Sequence, residues 1–174
     1  MTFKQWWEII TEGNCSRDVR QGKELHFKKV SRAEIQKLLD DLDEEGRRNF
    51  THNIYLKEQR LDLGAFIGSR MAAYGFLKFN QQSFRKDLCN LGLVVHHEYR
   101  GKGVGASFVQ KLIEEARKKG IRKIWIGVYS DNPRAVKFWL EQGFQIEGFL
   151  KDNENWDGKL RSMFQMYMFL REKT

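Results

Sequence analysis

The stretch Leu91-Gly-Leu-Val-Val-His-His-Glu-Tyr-Arg100-Gly-Lys-Gly-Val-Gly-Ala106 joins an apolar strand to an amphipathic helix through a glycine-rich turn. Glycines let a backbone approach an anion closely, because they lack a Cβ and accept positive φ angles. The helix that follows directs its first N–H groups and its positive dipole end to the same place. Arg100 and Lys102 add positive charge. The sequence therefore predicts a phosphate-binding turn.

The spacing of the glycines excludes two common classes of phosphate-binding motif. Gly101, Gly103 and Gly105 fall on alternate positions, which matches neither the G-x-G-x-x-G motif of dinucleotide folds nor the G-x-x-x-x-G-K-S/T motif of P-loop proteins. The segment Arg100-x-x-Gly103-x-Gly105 instead resembles the Gln/Arg-x-x-Gly-x-Gly/Ala signature of the GNAT acetyltransferase superfamily. Members of that superfamily bind the pyrophosphate of acetyl-CoA at this signature.

A second block strengthens the resemblance. Asn132-Pro-Arg-Ala135-Val-Lys-Phe-Trp139-Leu-Glu-Gln-Gly143-Phe144 is similar to the superfamily's N-x-x-A-x-x-x-Y-x-x-x-G-F block, which opens the last helix. The tail from Glu147-Gly148-Phe149 through Asp157-Gly158 to Met166-Tyr167-Met168 resembles the closing hairpin of the ribosomal-protein and polyamine branches. The resemblance covers residues 86–170. It implies an α/β (α+β mixed) fold with a central mixed, mostly antiparallel, twisted sheet flanked by helices.

Composition sets the broad class. A chain of 174 residues with 41% hydrophobic content is long and apolar enough for one globular domain. We expect a single acetyltransferase domain over 1–174, with 1–23 as an N-terminal extension that is helical over 2–12. Cys15 and Cys89 stand far apart and His96-His97 are adjacent, so we expect neither a disulfide framework nor a metal site. The N-terminus lacks a signal-peptide pattern, which favours a cytoplasmic protein.

The formal net charge of +8 is compatible with nucleic acid or with a polyanionic cofactor such as CoA. The basic residues are scattered, without a long tract or an aromatic-basic ribonucleoprotein motif. We therefore expect no nucleic-acid partner. No segment approaches membrane-spanning length, so we expect no membrane partner either.

Periodicity and turn signals predict the elements around the two motifs. Ser31-Arg-Ala-Glu34 is a capping box that starts a helix with Ile35, Leu38, Leu39 and Leu42 on one face. Asn132 and Pro133 suit the N-cap and first position of another helix. The predicted strands are 24–30, 64–67, 71–79, 87–95, 121–129, 144–149 and 160–170, and the turn-linked helix is 103–119.

The resemblance implies how acetyl-CoA is bound. Backbone groups of Leu93, Val94 and Val95 would pair with the pantetheine arm, and a main-chain N–H there would polarise the acetyl carbonyl. In the second block, Asn132, Ala135 and Trp139 would line the CoA arm, although Asn132 also suits a plain N-cap. The pyrophosphate seat would comprise Arg100, Gly101, Lys102, Gly103, Val104, Gly105 and Ala106.

The general acid is where this sequence departs from the family pattern. Many members carry tyrosine at the position of Trp139, where the hydroxyl can protonate the CoA thiolate. An indole N–H donates a hydrogen bond but cannot give up its proton near neutral pH. Either Trp139 only packs against the cofactor, or protonation comes from water or from Tyr129, Tyr99 or Tyr167.

The general base is also left open. Asp87 is the carboxylate available just before the apolar strand, and it is equally suited to a strand end. Cys89 is more typical of a small buried hydrophobe than of a nucleophile, and His96 and His97 are expected in a solvent-facing loop. The acidic run 40–45 is suited to attracting an amine, or to a solvated helix end.

These observations predict an acetyl-CoA-dependent N-acetyltransferase acting on a primary amine of a small molecule or protein. The alternative is a non-catalytic acyl-CoA-binding or sensor domain, which Trp139 motivates. A basic RNA-associated protein rests on net charge alone. A homodimer is the assembly expected from the family's habit.

Overall fold

The computed structural model describes residues 24–50, 59–156 and 158–170. They belong to two compact units, one ending at Arg122 and the other beginning at Lys123. The predicted helix over 2–12 lies outside the described residues.

The first unit contains a four-stranded antiparallel sheet in the order β1-β2-β3-β4. Its strands are β1 (Leu25–Lys29), β2 (Arg60–Ile67), β3 (Arg70–Phe79) and β4 (Leu88–Val95), and its helices are α1 (Arg32–Asp40), α2 (Glu44–Phe50) and α3 (Val104–Lys118). Short 3₁₀ turns cover Ser83–Arg85 and His97–Tyr99.

Helix α1 begins at the predicted capping box. The Ser31 hydroxyl accepts the Glu34 N–H at 3.3 Å, and the Glu34 carboxylate accepts the Ser31 N–H at 2.8 Å. The apolar face of α1 packs on Tyr74, Phe76 and Val94 of the sheet. Leu42, predicted on that helix face, lies two residues beyond the end of α1 and is nevertheless buried.

Helix α3 covers the opposite face of the same sheet. Neighbouring residues of a strand point to opposite faces, so Tyr74 faces α1 while Gly75 faces α3. A Cβ at Gly75 would lie 2.8 Å from Cδ1 of Leu112, so glycine permits the close approach of the helix. The predicted inner residues of α3 are all buried: Val104, Phe108, Leu112 and Ile113.

The second unit contains a three-stranded antiparallel sheet and one helix. Its strand order is β5-β7-β6. The elements are β5 (Lys123–Tyr129), α4 (Pro133–Glu141), β6 (Gln145–Trp156) and β7 (Lys159–Phe169). Helix α4 begins as predicted, because the Asn132 side chain accepts the Ala135 N–H at 3.1 Å and Pro133 occupies the first turn.

The closing hairpin differs from its predicted bounds. Strand β6 continues to Trp156 instead of ending at 149, and Trp156 pairs with Lys159. Asp and Asn are typical of turns, which explains the early predicted end. The strand accommodates them through a register shift between Leu150 and Glu154, where Asp152 has φ 49°. Such a bulge absorbs extra residues without ending the pairing.

The predicted α+β class with mostly antiparallel strands is confirmed. Among the helices of the described residues, none has the length and apolar character required to cross a membrane.

Candidate functional site

The glycine turn follows β4 and leads directly into α3. Gly101 has φ 73° and Gly103 has φ 79°, both in the left-handed region that favours glycine. Gly103 is the N-cap of α3, and its carbonyl accepts the Ser107 N–H at 3.1 Å. Both glycines are thus required by the path of the backbone.

The N-terminus of α3 has no side-chain cap. By contrast, α1 is capped by Ser31 and α4 by Asn132. The N–H groups in the first turn of a helix lack intrahelical acceptors, so an uncapped start offers them to an anion. Lys102 is exposed beside the turn. This arrangement is compatible with the phosphate seat predicted for Arg100 through Ala106.

Strand β4 carries the residues predicted for the pantetheine arm. Leu93, Val94 and Val95 are paired with Gly75, Tyr74 and Ala73 of β3. A strand directs alternate backbone N–H and C=O groups away from any one neighbour, so β4 has groups that β3 does not use. The role predicted for these residues needs only those backbone groups.

The side chain of Arg100 is engaged by carboxylates. Its Nη1 and Nη2 lie 2.7 Å from Oδ2 and Oδ1 of Asp43, Nη1 lies 3.0 Å from Glu45, and Nε donates to the Val95 carbonyl at 3.2 Å. By sequence, the guanidinium of Arg100 is predicted to add positive charge beside the bound phosphate. In the structure the guanidinium of Arg100 instead binds Asp43 and Glu45 at α2, which leaves backbone N–H groups and Lys102 as the candidate phosphate ligands.

In the second unit, the motif that opens α4 contains a residue that caps the helix, Asn132, and a buried core residue, Trp139. Asn132 uses its side-chain oxygen as N-cap, which leaves its amide NH₂ group as donor. Ala135 supplies the capped N–H. Trp139 is only 7% exposed and contacts Phe138 and Phe144 edge-on, with ring centroids 5.1 and 5.0 Å apart. Packing is therefore the role that the geometry of Trp139 supports.

A sequence model of the acetyltransferase (GNAT) family matches residues 28–144, more than half of the chain. The chain belongs to this family. The resemblance inferred from the two motifs is thereby confirmed at the level of the GNAT family, whose members use acetyl-CoA as cosubstrate.

The relatives of this chain span different shares of it. Thialysine N-epsilon-acetyltransferase of Bos taurus is 27% identical over 155 residues, covering 83% of this chain and 85% of that protein. An uncharacterized N-acetyltransferase of Methanocaldococcus jannaschii is 34% identical over 65 residues, covering 34% of this chain and 28% of that protein. The chain thus spans about three tenths of the length of the first curated relatives it matches.

The fold is shared with solved GNAT structures. Ribosomal-protein-S18-alanine N-acetyltransferase from Escherichia coli superposes with a TM-score of 0.69 at 15% identity, over 87% of this chain and 97% of that one. At this identity the likeness concerns the fold alone.

Tyr129, a candidate acid of this GNAT protein, lies at the end of β5. Its hydroxyl donates to the Glu154 carboxylate, which also accepts the Trp156 indole N–H at 2.9 Å. Burial raises the pKa of the Tyr129 hydroxyl, and the neighbouring Glu154 raises it further. A raised pKa makes a phenol a weaker acid, so this arrangement disfavours proton transfer from Tyr129 to a thiolate.

The candidate bases near β4 are engaged or buried. The Asp87 carboxylate accepts from Nε of Arg122 at 2.6 Å, and the Asp87 carbonyl accepts the Arg122 N–H at 2.8 Å. Asp87 therefore fastens the residue before β4 to the segment after α3, as expected of a strand end. Burial raises the pKa of the Cys89 thiol to about 12, so it remains a protonated, inert core group.

The prediction that His96 faces solvent is wrong, because its side chain is only 1% exposed. Its Nδ1 accepts the Glu98 N–H at 3.3 Å, so in the neutral ring Nε2 carries the hydrogen that faces Asp41 Oδ2 at 3.1 Å. Asp41 also pairs with Arg70, and Arg70 lowers the pKa of the Asp41 carboxyl. Nothing local in the sequence marks this burial, since Asp41 and His96 are far apart along the chain.

Proposed function

We propose that this protein transfers the acetyl group of acetyl-CoA to a primary amine. The observation that carries the proposal is the glycine turn, where Gly101 and Gly103 take left-handed conformations and α3 starts without a side-chain cap. Membership of the GNAT family supports the same cosubstrate. The match to residues 28–144 spans parts of both units, which supports treating them as one acetyltransferase domain.

The reaction is direct acyl transfer. The neutral amine attacks the acetyl carbonyl, an N–C bond forms, and the C–S bond to CoA breaks. The amine loses one proton and the departing thiolate gains one, so no net proton is consumed by the transfer. A backbone N–H of Leu93, Val94 or Val95 would stabilise the oxyanion as charge develops on the carbonyl oxygen.

Water and Tyr99 are the candidate acids left by the contacts of the other groups, and we propose water as the proton carrier. Asp87 is paired with Arg122, and Tyr129 donates to Glu154. Tyr167 is likewise engaged, donating to Gln145 at 2.7 Å. A thiolate needs only a weak acid for protonation, so solvent can complete the step.

The acceptor is proposed to be an unhindered primary amine on a flexible chain. The name of the Bos taurus relative specifies the ε-amine of thialysine, which belongs to this class. The resemblance of the closing hairpin to that of the ribosomal-protein and polyamine branches supports placing this chain with them. We further propose a cytoplasmic homodimer that binds neither nucleic acid nor membranes; light scattering of the purified chain measures its mass.

The test is a thermal-shift titration followed by an amine screen. Acetyl-CoA and CoA should raise the melting temperature saturably, because a ligand of the folded state stabilises it. A thiol-release assay with polyamines, thialysine, lysine, aminoglycosides and an alanine-led peptide should then give turnover with at least one amine. No shift at millimolar acetyl-CoA would refute the cofactor seat. A shift without turnover on any amine would favour the non-catalytic acyl-CoA-binding alternative.

Trp139→Phe separates packing from catalysis at the acid position. We expect kcat to stay within about threefold of wild type, because an indole cannot act as a proton donor near neutral pH. The free energy of unfolding should fall by about 1 kcal/mol, since phenylalanine keeps most of the contacts with Phe138 and Phe144. A loss of kcat on the order of 100-fold at an unchanged melting temperature would instead show that the indole N–H binds the reacting groups.

A further inference from the structure

The residues between α1 and the first turn of α2 form ion pairs and hydrogen bonds with the segment that leads into the glycine turn. We define the acidic corner as residues 41–46 and the turn entry as residues 96–100. Both lie in the unit that ends at Arg122. By sequence, the acidic run is suited to attracting an amine. Three of its carboxylates instead bind groups of the protein: Asp41, Asp43 and Glu45.

The principal contact is the pair of Asp43 with Arg100. Both Asp43 oxygens lie 2.7 Å from guanidinium nitrogens, which is the fork geometry that matches arginine to carboxylate. Arg100 lowers the pKa of Asp43, which keeps the carboxyl ionised. Because Glu45 adds a second carboxylate at 3.0 Å, the positive charge of Arg100 is already compensated within the protein.

Helix α2 is built around this guanidinium. Asp43 precedes α2, and its Oδ1 accepts the Gly46 N–H at 2.9 Å, as an N-cap does. A Cβ at Gly46 would lie 2.9 Å from Nη2 of Arg100. The missing side chain at Gly46 therefore leaves the space that the guanidinium occupies.

A second set of contacts holds the other end of the turn entry. Asp41 faces both the buried His96 ring and Arg70, and Arg70 Nη1 lies 2.5 Å from Glu98. The turn entry is thus bound to the acidic corner at its first and last residues. The residue that follows it is Gly101, where the left-handed turn begins.

We infer that Asp43 is a positioning residue of the cofactor seat, which acts through Arg100 to hold the backbone of the glycine turn in its anion-binding conformation. In this role Asp43 acts through its contacts with Arg100 and Gly46 and does not bind the substrate itself. The inference rests on the proposed function for the identity of the anion, acetyl-CoA. It assigns Arg100 to the framework of the seat. If Arg100 instead released Asp43 in order to bind the phosphate, removing the charge of Asp43 would free the guanidinium. Acetyl-CoA would then bind more tightly.

Asp43→Asn tests the inference, with Asp40→Asn as matched control. Asparagine is also a good N-cap, so Asp43→Asn keeps the bond to Gly46 while removing the charge that faces Arg100. Asp40→Asn removes the same charge from the same acidic run, at an exposed side chain that accepts a hydrogen bond from Gln36 at 2.7 Å. Long-range electrostatics therefore change alike in both variants.

We expect Asp43→Asn to raise the dissociation constant and KM of acetyl-CoA by about tenfold, with kcat within about twofold, because a charge-assisted pair that fixes the turn is lost. Asp40→Asn should change the dissociation constant and KM of acetyl-CoA by less than about twofold. In the ligand-free protein, the amides of Tyr99 and Arg100, which bond to the His96 and His97 carbonyls, should exchange faster in Asp43→Asn alone.

Tighter acetyl-CoA binding by Asp43→Asn would overturn the inference and assign Arg100 to the phosphate. Equal behaviour of the two variants would overturn it as well. A wild-type protein without any acetyl-CoA response would refute the proposed function, and the exchange comparison would still decide whether Asp43 holds the turn.

Discussion

Gly103→Asp is expected to weaken acetyl-CoA binding by on the order of 100-fold, which corresponds to about 2.7 kcal/mol. Two effects add. Gly103 has φ 79°, a conformation that costs a residue with a Cβ roughly 1–2 kcal/mol, so in the variant the turn is biased away from its anion-binding conformation. The new carboxylate would also stand at the uncapped start of α3, where it repels a pyrophosphate and competes for the same N–H groups.

The matched control for this variant is Gly158→Asp. Gly158 has φ 83° in the hairpin turn of the second unit, and a Cβ there would meet nothing within 4 Å. Both substitutions therefore add the same charge at a left-handed glycine and should lower the free energy of unfolding by similar amounts. Only Gly103→Asp should change the dissociation constant, measured by calorimetric titration with acetyl-CoA. Equal affinities of the two folded variants would remove the glycine turn from the cofactor site.

Signals between residues close in sequence predicted the local framework correctly. The Ser31 and Glu34 capping box, the Asn132 cap and the glycine turn all depend on hydrogen bonds or backbone angles among near neighbours in the chain. Such interactions are encoded by short patterns, because the partners are neighbours in every conformation close to the native one. The left-handed glycine turn and the helix that follows it could therefore be predicted from sequence, while phosphate binding there stays a prediction.

The role of Arg100 could not be predicted in this way. Its partner Asp43 lies on a different element, and a surface acidic run is usually solvated. One sequence signal points to the pairing. Asp43 at an N-cap position supplies a carboxylate, and Gly46 three residues later leaves space for a large side chain beside it. The burial of His96 likewise depends on Asp41 arriving from another element. Pairing across sequence distance is decided by the packed fold.

The catalytic candidates illustrate the same limit. Tyr129 and Asp87 have chemistry that suits acid and base roles, and residue type alone supports both. Their contacts with Glu154 and Arg122 change what each group does. A weaker acid at Tyr129 follows from its environment, which composition and spacing do not reveal.

Phe108→Ala is expected to lower the free energy of unfolding by about 3–5 kcal/mol, a large part of the roughly 5–15 kcal/mol that is typical of a domain. The Phe108 side chain is 0% exposed, and its ring stacks on Phe27 with centroids 5.3 Å apart. Removing a fully buried ring leaves a cavity that the close-packed groups around it fill only in part.

Phe84→Ala is the matched control, because the same side chain is removed at a position that is 75% exposed. Its unfolding free energy should stay within about 0.5 kcal/mol of wild type in a denaturant titration. Phe108 does not contribute to the glycine turn, so the folded fraction of Phe108→Ala should keep the wild-type affinity for acetyl-CoA. Acetyl-CoA at about 100 times its dissociation constant should then raise the free energy of unfolding by about 2.7 kcal/mol in the wild type and in the variant. A smaller increase in the variant would mean that core packing beneath α3 also sets the geometry of the candidate phosphate seat.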